Sequence, residues 1–177
     1  MVWYHGTYKV IHQINLNRGN KRTDYGRGYY LGDSFELAKK WATGRFPVKG
    51  EAPTVMCYEV DDVIFTGDVL DLRRFDAPSK EWLDFVKLNR RKDLFHSTEP
   101  RHSHDMVFGH IANDMAADTI ESFVKGEIEW EEALRQIKIV PDVFQLSLHT
   151  PLALQYIKVL ECWQLLGEQW QQIEMPR

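Results

Sequence analysis

The stretch TDYGRGYYLGDSFELAKKWATG, residues 23–44, constrains the fold more tightly than any other. Within it, GYYLG predicts a short strand, with paired tyrosines held between glycines. The strand runs into Asp33-Ser34, either of which can cap a helix over about residues 34 to 43. In that helix Phe35, Ala38 and Trp41 or Ala42 point inward, while Glu36, Lys39 and Lys40 point outward. Gly44 stops it. A hairpin would need the glycines without the rings, and a core strand the rings without the glycines. Having Gly26 and Gly28 beside Tyr25, Tyr29 and Tyr30 suits a flat ligand at this corner.

The rest of the chain alternates between short apolar runs and amphipathic ones. VWYHGTYKVI opens with strand formers interrupted by His5-Gly6-Thr7, and NLNRGNKRTDYGRG reads as a loop. TVMCYEVD is a strand, and VIFTGDVLDL a further extended piece around a Gly-Asp turn. After Pro78, SKEWLDFVKLNRR sets Trp82, Phe85 and Val86 on one helical stripe. DMVFGHI is a short strand, NDMAADTIESFVKGE a helix ended by Gly126, and EWEEALRQIKI another helix. DVFQLSLHT alternates as a strand, Pro151 opens a last helical turn, and IKVLECWQL is a final strand. Strands and helices interleave without a regular βαβ series, which predicts α+β over a doubly wound sheet. We read residues 1–177 as a single domain, with 167–177 as a C-terminal tail.

Composition narrows the function classes. A net charge of −4 and a pI near 6.0 argue against a duplex nucleic-acid binder, which normally carries a basic surface. Cys57 and Cys162 lie far apart in apolar runs and read as reduced, buried thiols. Without a long apolar run or a leader pattern, the sequence predicts a cytoplasmic protein with no membrane partner. His96, His102, His104 and Asp105 cluster in sequence but lack the donors of a tetrahedral set, so no metal site is expected.

Three pieces, YHGT, YGRGYYLGDS and FQLSLHT, together resemble the ADP-ribosyltransferase superfamily, in the branch shared by diphtheria toxin and the poly(ADP-ribose) polymerases. That branch carries a His, a Tyr and then a Glu, Asp or Gln on three different strands. His5 matches the His-Gly-[Ser/Thr] element, Tyr30 the tyrosine in GRGYYLGD, and Gln145 the third position. Trp41 stands eleven residues beyond Tyr30, as a second aromatic does in the polymerases. The later HDMVFGHIANDMAADT and GEIEWEEALRQI also look like a little-described bacterial branch of the superfamily, and the resemblance covers roughly residues 1 to 160.

The resemblance implies a split β-sandwich of two small antiparallel sheets with flanking helices, and NAD+ bound as a substrate between them. His5 would serve the adenosine ribose, Thr7 a ribose hydroxyl, and the Gly6 backbone the nicotinamide amide, with Gly28 in the same glycine-lined corner. Tyr30 and Trp41 would sandwich the pyridinium ring, a cation–π arrangement worth about 2 kcal/mol when dry. Arg18 or Arg22 would meet the pyrophosphate, whose oxygens fit a guanidinium fork. His5, Tyr30 and Gln145 are the implied catalytic set. Gln145 departs from the glutamate usual at that place: an amide can accept from the 2′-hydroxyl but brings no charge to a ribosyl cation. That favours mono-ADP-ribosyl transfer over chain elongation, to an unidentified macromolecular acceptor, as in a bacterial toxin or effector. Such proteins are often held in check by an antitoxin or inhibitor. An inactive NAD or ADP-ribose-binding module, an NAD glycohydrolase and a packing-only interaction domain are the alternatives.

Overall fold

A computed structural model describes residues 1–20, 23–44, 50–90, 100–112, 116–137 and 139–175. Strand β1 (Val2–Thr7) is flanked by β2 (Tyr29–Gly32) and β3 (Thr54–Val60), both antiparallel to it. Beyond β3 come β7 (Ile157–Leu166) and the hairpin strand β8 (Gln169–Ile173). Beyond β2 come β6 (Ile139–Leu148), β5 (Met106–Ala112) and β4 (Leu72–Arg74), the last parallel to β5. The protein is α+β, and the eight strands among the described residues form one mixed sheet, β4-β5-β6-β2-β1-β3-β7-β8.

This corrects the expectation of two separate sheets. Two groups of strands, antiparallel except for the β4–β5 pair, do exist, but they join through one register pair, Tyr4 with Gly32. By contrast β1 and β3 share six, from Val2–Glu59 to Thr7–Thr54. The sheet therefore has a seam at its centre.

Side-chain alternation sorts the strands' residues onto two faces. One face carries Trp3, Tyr29, Leu31, Met56, Tyr58, Met106, Leu146 and Leu148, buried with Ile64 from the one-turn helix α2 (Val63–Thr66). The other packs against helices. There α1 (Phe35–Thr43) buries Ala38 against Val55 and Cys57. Helices α3 (Lys80–Arg90), α4 (Ala116–Lys125) and α5 (Trp130–Gln136) enclose Trp82, Leu83, Val86, Ile120, Phe123 and Ala133 around Tyr25 and Val107.

Local chemistry sets the ends of these elements. The Ser34 hydroxyl accepts from the Leu37 N–H at 3.3 Å, and the Gly44 N–H closes α1 on the Lys40 carbonyl. The piece read as extended over residues 63–72 instead begins with α2, where the Asp61 carboxylate accepts from the Val63 N–H at 3.0 Å. The presumed tail is β8, turned back on β7 by Gly167 at φ +65°. Cys57 and Cys162 are both buried and unbridged, and burial pushes their thiols up to about 12 and about 11.

Candidate functional site at the β1–β2 seam

Past Tyr4 and Gly32 the backbone ladder between β1 and β2 stops, and a side chain spans the gap. His5 Nδ1 lies 2.7 Å from the Tyr30 carbonyl oxygen. A carbonyl cannot donate, so Nδ1 carries a proton and donates it to Tyr30. The imidazole also stacks on Tyr29, with centroids 4.3 Å apart. Beside this junction a cleft of about 930 Å³ is lined by His5, Thr7, Arg18, Thr23, Gly28 and Tyr30, among others. Arg18 closes a 3₁₀ turn that begins where Asn15 accepts from the Asn17 N–H.

The side chain of Tyr30 is fixed at its far end. Its hydroxyl donates to the Gly26 carbonyl at 2.7 Å, receives the Tyr25 N–H at 3.1 Å, and meets the Thr23 hydroxyl at 2.7 Å. Burial holds its acidity well below that of an ordinary phenol. Gly26, at φ +82°, makes this clasp possible by turning in the left-handed region.

Five sequence-predicted residues therefore meet at one cleft: His5, Thr7, Arg18, Gly28 and Tyr30. The others lie elsewhere. Trp41, on α1, sits over Gly32, where a Cβ would come within 3.4 Å of its ring. Gln145 is opposite Gly32 in the β2–β6 ladder and is 7 % exposed. Both share the helix-packed face with Tyr30, whereas His5 and Thr7 belong to the opposite face of β1. Gly6 is explained by packing: a Cβ there would lie 2.1 Å from the Ala38 carbonyl oxygen of α1. Gly28 likewise lets β2 pass the Leu148 carbonyl, which a Cβ would approach to 2.6 Å. Lys21, Arg22 and His96 lie outside the described residues.

A polar cluster behind Tyr30 was not expected from the sequence. Gln145 Nε2 donates to Asp24 Oδ2 at 3.3 Å and to the His110 carbonyl at 3.2 Å. Asp24 is ion-paired with Arg90 at 2.6 Å. The fully buried Tyr25 hydroxyl accepts from Trp82 Nε1 at 3.0 Å and donates to the His110 carbonyl at 3.3 Å. Asp24 stands directly before YGRG in the sequence, and nothing local marks its partners 66 and 121 positions away.

Three further histidines, in contact with one another around His102, brace this region. His102 Nε2 donates to the Tyr25 carbonyl and His149 Nδ1 to that of Arg27, while His104 pairs with Asp71 at 3.0 Å. Among the described residues no group of three or more His, Cys, Asp or Glu is arranged to hold a metal ion. No described helix is long and apolar enough to cross a membrane. No curated protein and no solved structure is significantly similar to the chain. What does match is a sequence family whose region of similarity runs through the seam, the cleft and the cluster behind it: over residues 1–159 the chain belongs to the family described as "Protein of unknown function (DUF3990)".

Proposed function

We propose that the protein is a mono-ADP-ribosyltransferase that cleaves the nicotinamide–ribose bond of NAD+ and passes ADP-ribose to a macromolecular acceptor. The observation that carries this reading is the seam: His5 and Tyr30, the first two residues of the resemblance, meet across the point where the sheet is joined by a single register pair. The dinucleotide would lie across it. Its adenosine ribose would face the His5 and Thr7 side with the pyrophosphate at Arg18, and its nicotinamide the Tyr30, Gly32 and Trp41 side. Under this reading the ADP-ribosyltransferase-like architecture is a split sheet not fully parted.

The reaction needs little covalent work from the protein. The C1′–N bond breaks, its electron pair leaves with neutral nicotinamide, and the acceptor's lone pair closes on C1′ while its proton passes to solvent. Stacking on Tyr30 and Trp41 favours the charged pyridinium of the ground state, so it strengthens binding more than turnover. Turnover would depend on a hydrogen bond accepted from the 2′-hydroxyl by Gln145, which strengthens as the ribose becomes cationic. The uncharged amide at this position favours a second reading, NAD+ binding without cleavage.

Nicotinamide release from NAD+, followed by chromatography with a Tyr30→Ala control, tests the proposal. Release that falls at least about tenfold in the control is expected. Binding of NAD+ without release by the unaltered protein would move the assignment to a binding module. Neither binding nor release would remove NAD+ altogether.

A further inference from the structure

The amide of Gln145 is not free to turn. Its Nε2 faces the Asp24 carboxylate at 3.3 Å and the His110 backbone carbonyl at 3.2 Å. Neither group has a hydrogen to give, so only the –NH₂ end of the amide can face them. Reversing it would put three acceptor oxygens together in a pocket where Gln145 is 7 % exposed. Asp24 is held in turn. Arg90 lies 2.6 Å from Oδ1, and the two side chains are 11 % and 24 % exposed. On its other flank Thr23 meets the Tyr30 hydroxyl at 2.7 Å, and Gly26 at φ +82° closes the turn. Each carboxylate oxygen of Asp24 thus has its own task, Oδ1 toward Arg90 and Oδ2 toward Gln145.

We infer that Asp24 is a positioning residue: it fixes the Gln145 amide with its nitrogen inward, leaving Oε1 as the end that accepts from a ligand hydroxyl. The inference rests on the ADP-ribosyltransferase reading, in which that hydroxyl is the ribose 2′-OH. It carries a consequence opposite to the resemblance. Restoring the glutamate usual in the superfamily would set a carboxylate against Asp24 and the His110 carbonyl, and two carboxylates sharing one site repel. In this chain, then, Gln145→Glu is expected to impair the site. Exchanging the two groups, with Asp24→Asn and Gln145→Glu together, restores one amide donor facing one carboxylate.

The test compares the unaltered protein, each single variant and the exchanged pair, by thermal unfolding and by nicotinamide release. Rates are taken well below the lowest unfolding midpoint, so that loss of folded protein does not enter. Gln145→Glu is expected to lower the midpoint by about 5 °C or more and to reduce kcat for nicotinamide release about tenfold. Asp24→Asn is expected to reduce kcat about fivefold with little change in KM, the difference between a charged and a neutral acceptor on the amide. The exchanged pair recovers part of both losses, since the carboxylate at position 145 still faces the His110 carbonyl. An exchanged pair no better than Gln145→Glu alone, or an Asp24→Asn variant with undiminished kcat, overturns the inference. A protein that releases no nicotinamide overturns the reading of the reaction and Asp24's part in it. Recovery of the midpoint in the exchanged pair would then make Asp24 and Gln145 a structural pair only.

Discussion

Tyr25 shows at the scale of one residue how the site is supported. It is fully buried, its ring stacks on Phe75 with centroids 6.2 Å apart, and its hydroxyl joins Trp82 on α3 to the His110 carbonyl on β5. Gly109 is required beside it, since a Cβ there would come within 2.3 Å of that hydroxyl. Removing the oxygen would leave the Trp82 indole N–H short of a partner inside the core. Tyr25→Phe is therefore expected to cost about 1–3 kcal/mol, read as a lower urea midpoint with an unchanged m-value. His5 and Tyr30 were legible in the sequence because each sits in a short local pattern with glycine beside it. Asp24 and Arg90 were not, because their meaning lies in a contact 66 residues apart that no local spacing encodes. Trp41 was legible as a residue but not as a place: it covers Gly32 rather than lining the cleft beside His5.

At the scale of elements, α1 approaches the backbone of β1 closely beside Gly6. The Ala38 carbonyl would stand 2.1 Å from a Cβ at position 6, and the Ala42 nitrogen 3.1 Å from it. Both are backbone atoms of a helix and cannot swing aside. Gly6→Ala is expected to push α1 off the sheet at a cost of about 3 kcal/mol. Hydrogen exchange would show this as faster exchange through Leu37–Thr43 than in α3. Equal rates in the two helices would mean that α1 is not held by this contact. The helices themselves were legible, since capping and apolar periodicity are local properties. The one-turn α2 was not, because its β-branched and aromatic letters read as strand and only the Asp61 carboxylate, accepting from the Val63 N–H, says otherwise. Strand β8 was missed for a related reason: QWQQI has only two large apolar side chains, Trp170 and Ile173, among three glutamines, and its pairing with β7 is not written in its own pattern. Its signal was the two-residue Gly167-Glu168 turn between apolar runs.

For the whole molecule, the histidines that brace the site make stability depend on pH in a defined direction. Burial lowers the pKa of His149 from 6.5 to about 4, aided by His102, whose ring lies 4.5 Å away. Burial lowers His102 as well. Both rings donate to backbone carbonyls, of Arg27 and Tyr25, on either side of the turn that carries Tyr30. A histidine held below its ordinary value binds fewer protons folded than unfolded, so stability is full above about pH 6.5 and is lost as pH falls toward about 4. Asp33 works in the opposite direction, since burial raises its pKa and folding there takes up protons at low pH. It offsets part of the loss only at the acidic end of the range. For His149 the loss is on the order of 2–3 kcal/mol. Urea midpoints taken at about pH 7.5 and about pH 4.5 measure it, in the unaltered protein and in His149→Asn, whose amide can still donate to Arg27. The variant is expected to lose clearly less stability between the two pH values. An equal loss in both proteins would place the acid sensitivity outside His149. A reduced loss would instead tie the acid limit of the fold to the same turn that clasps the Tyr30 hydroxyl, so that acid loosens the seam first.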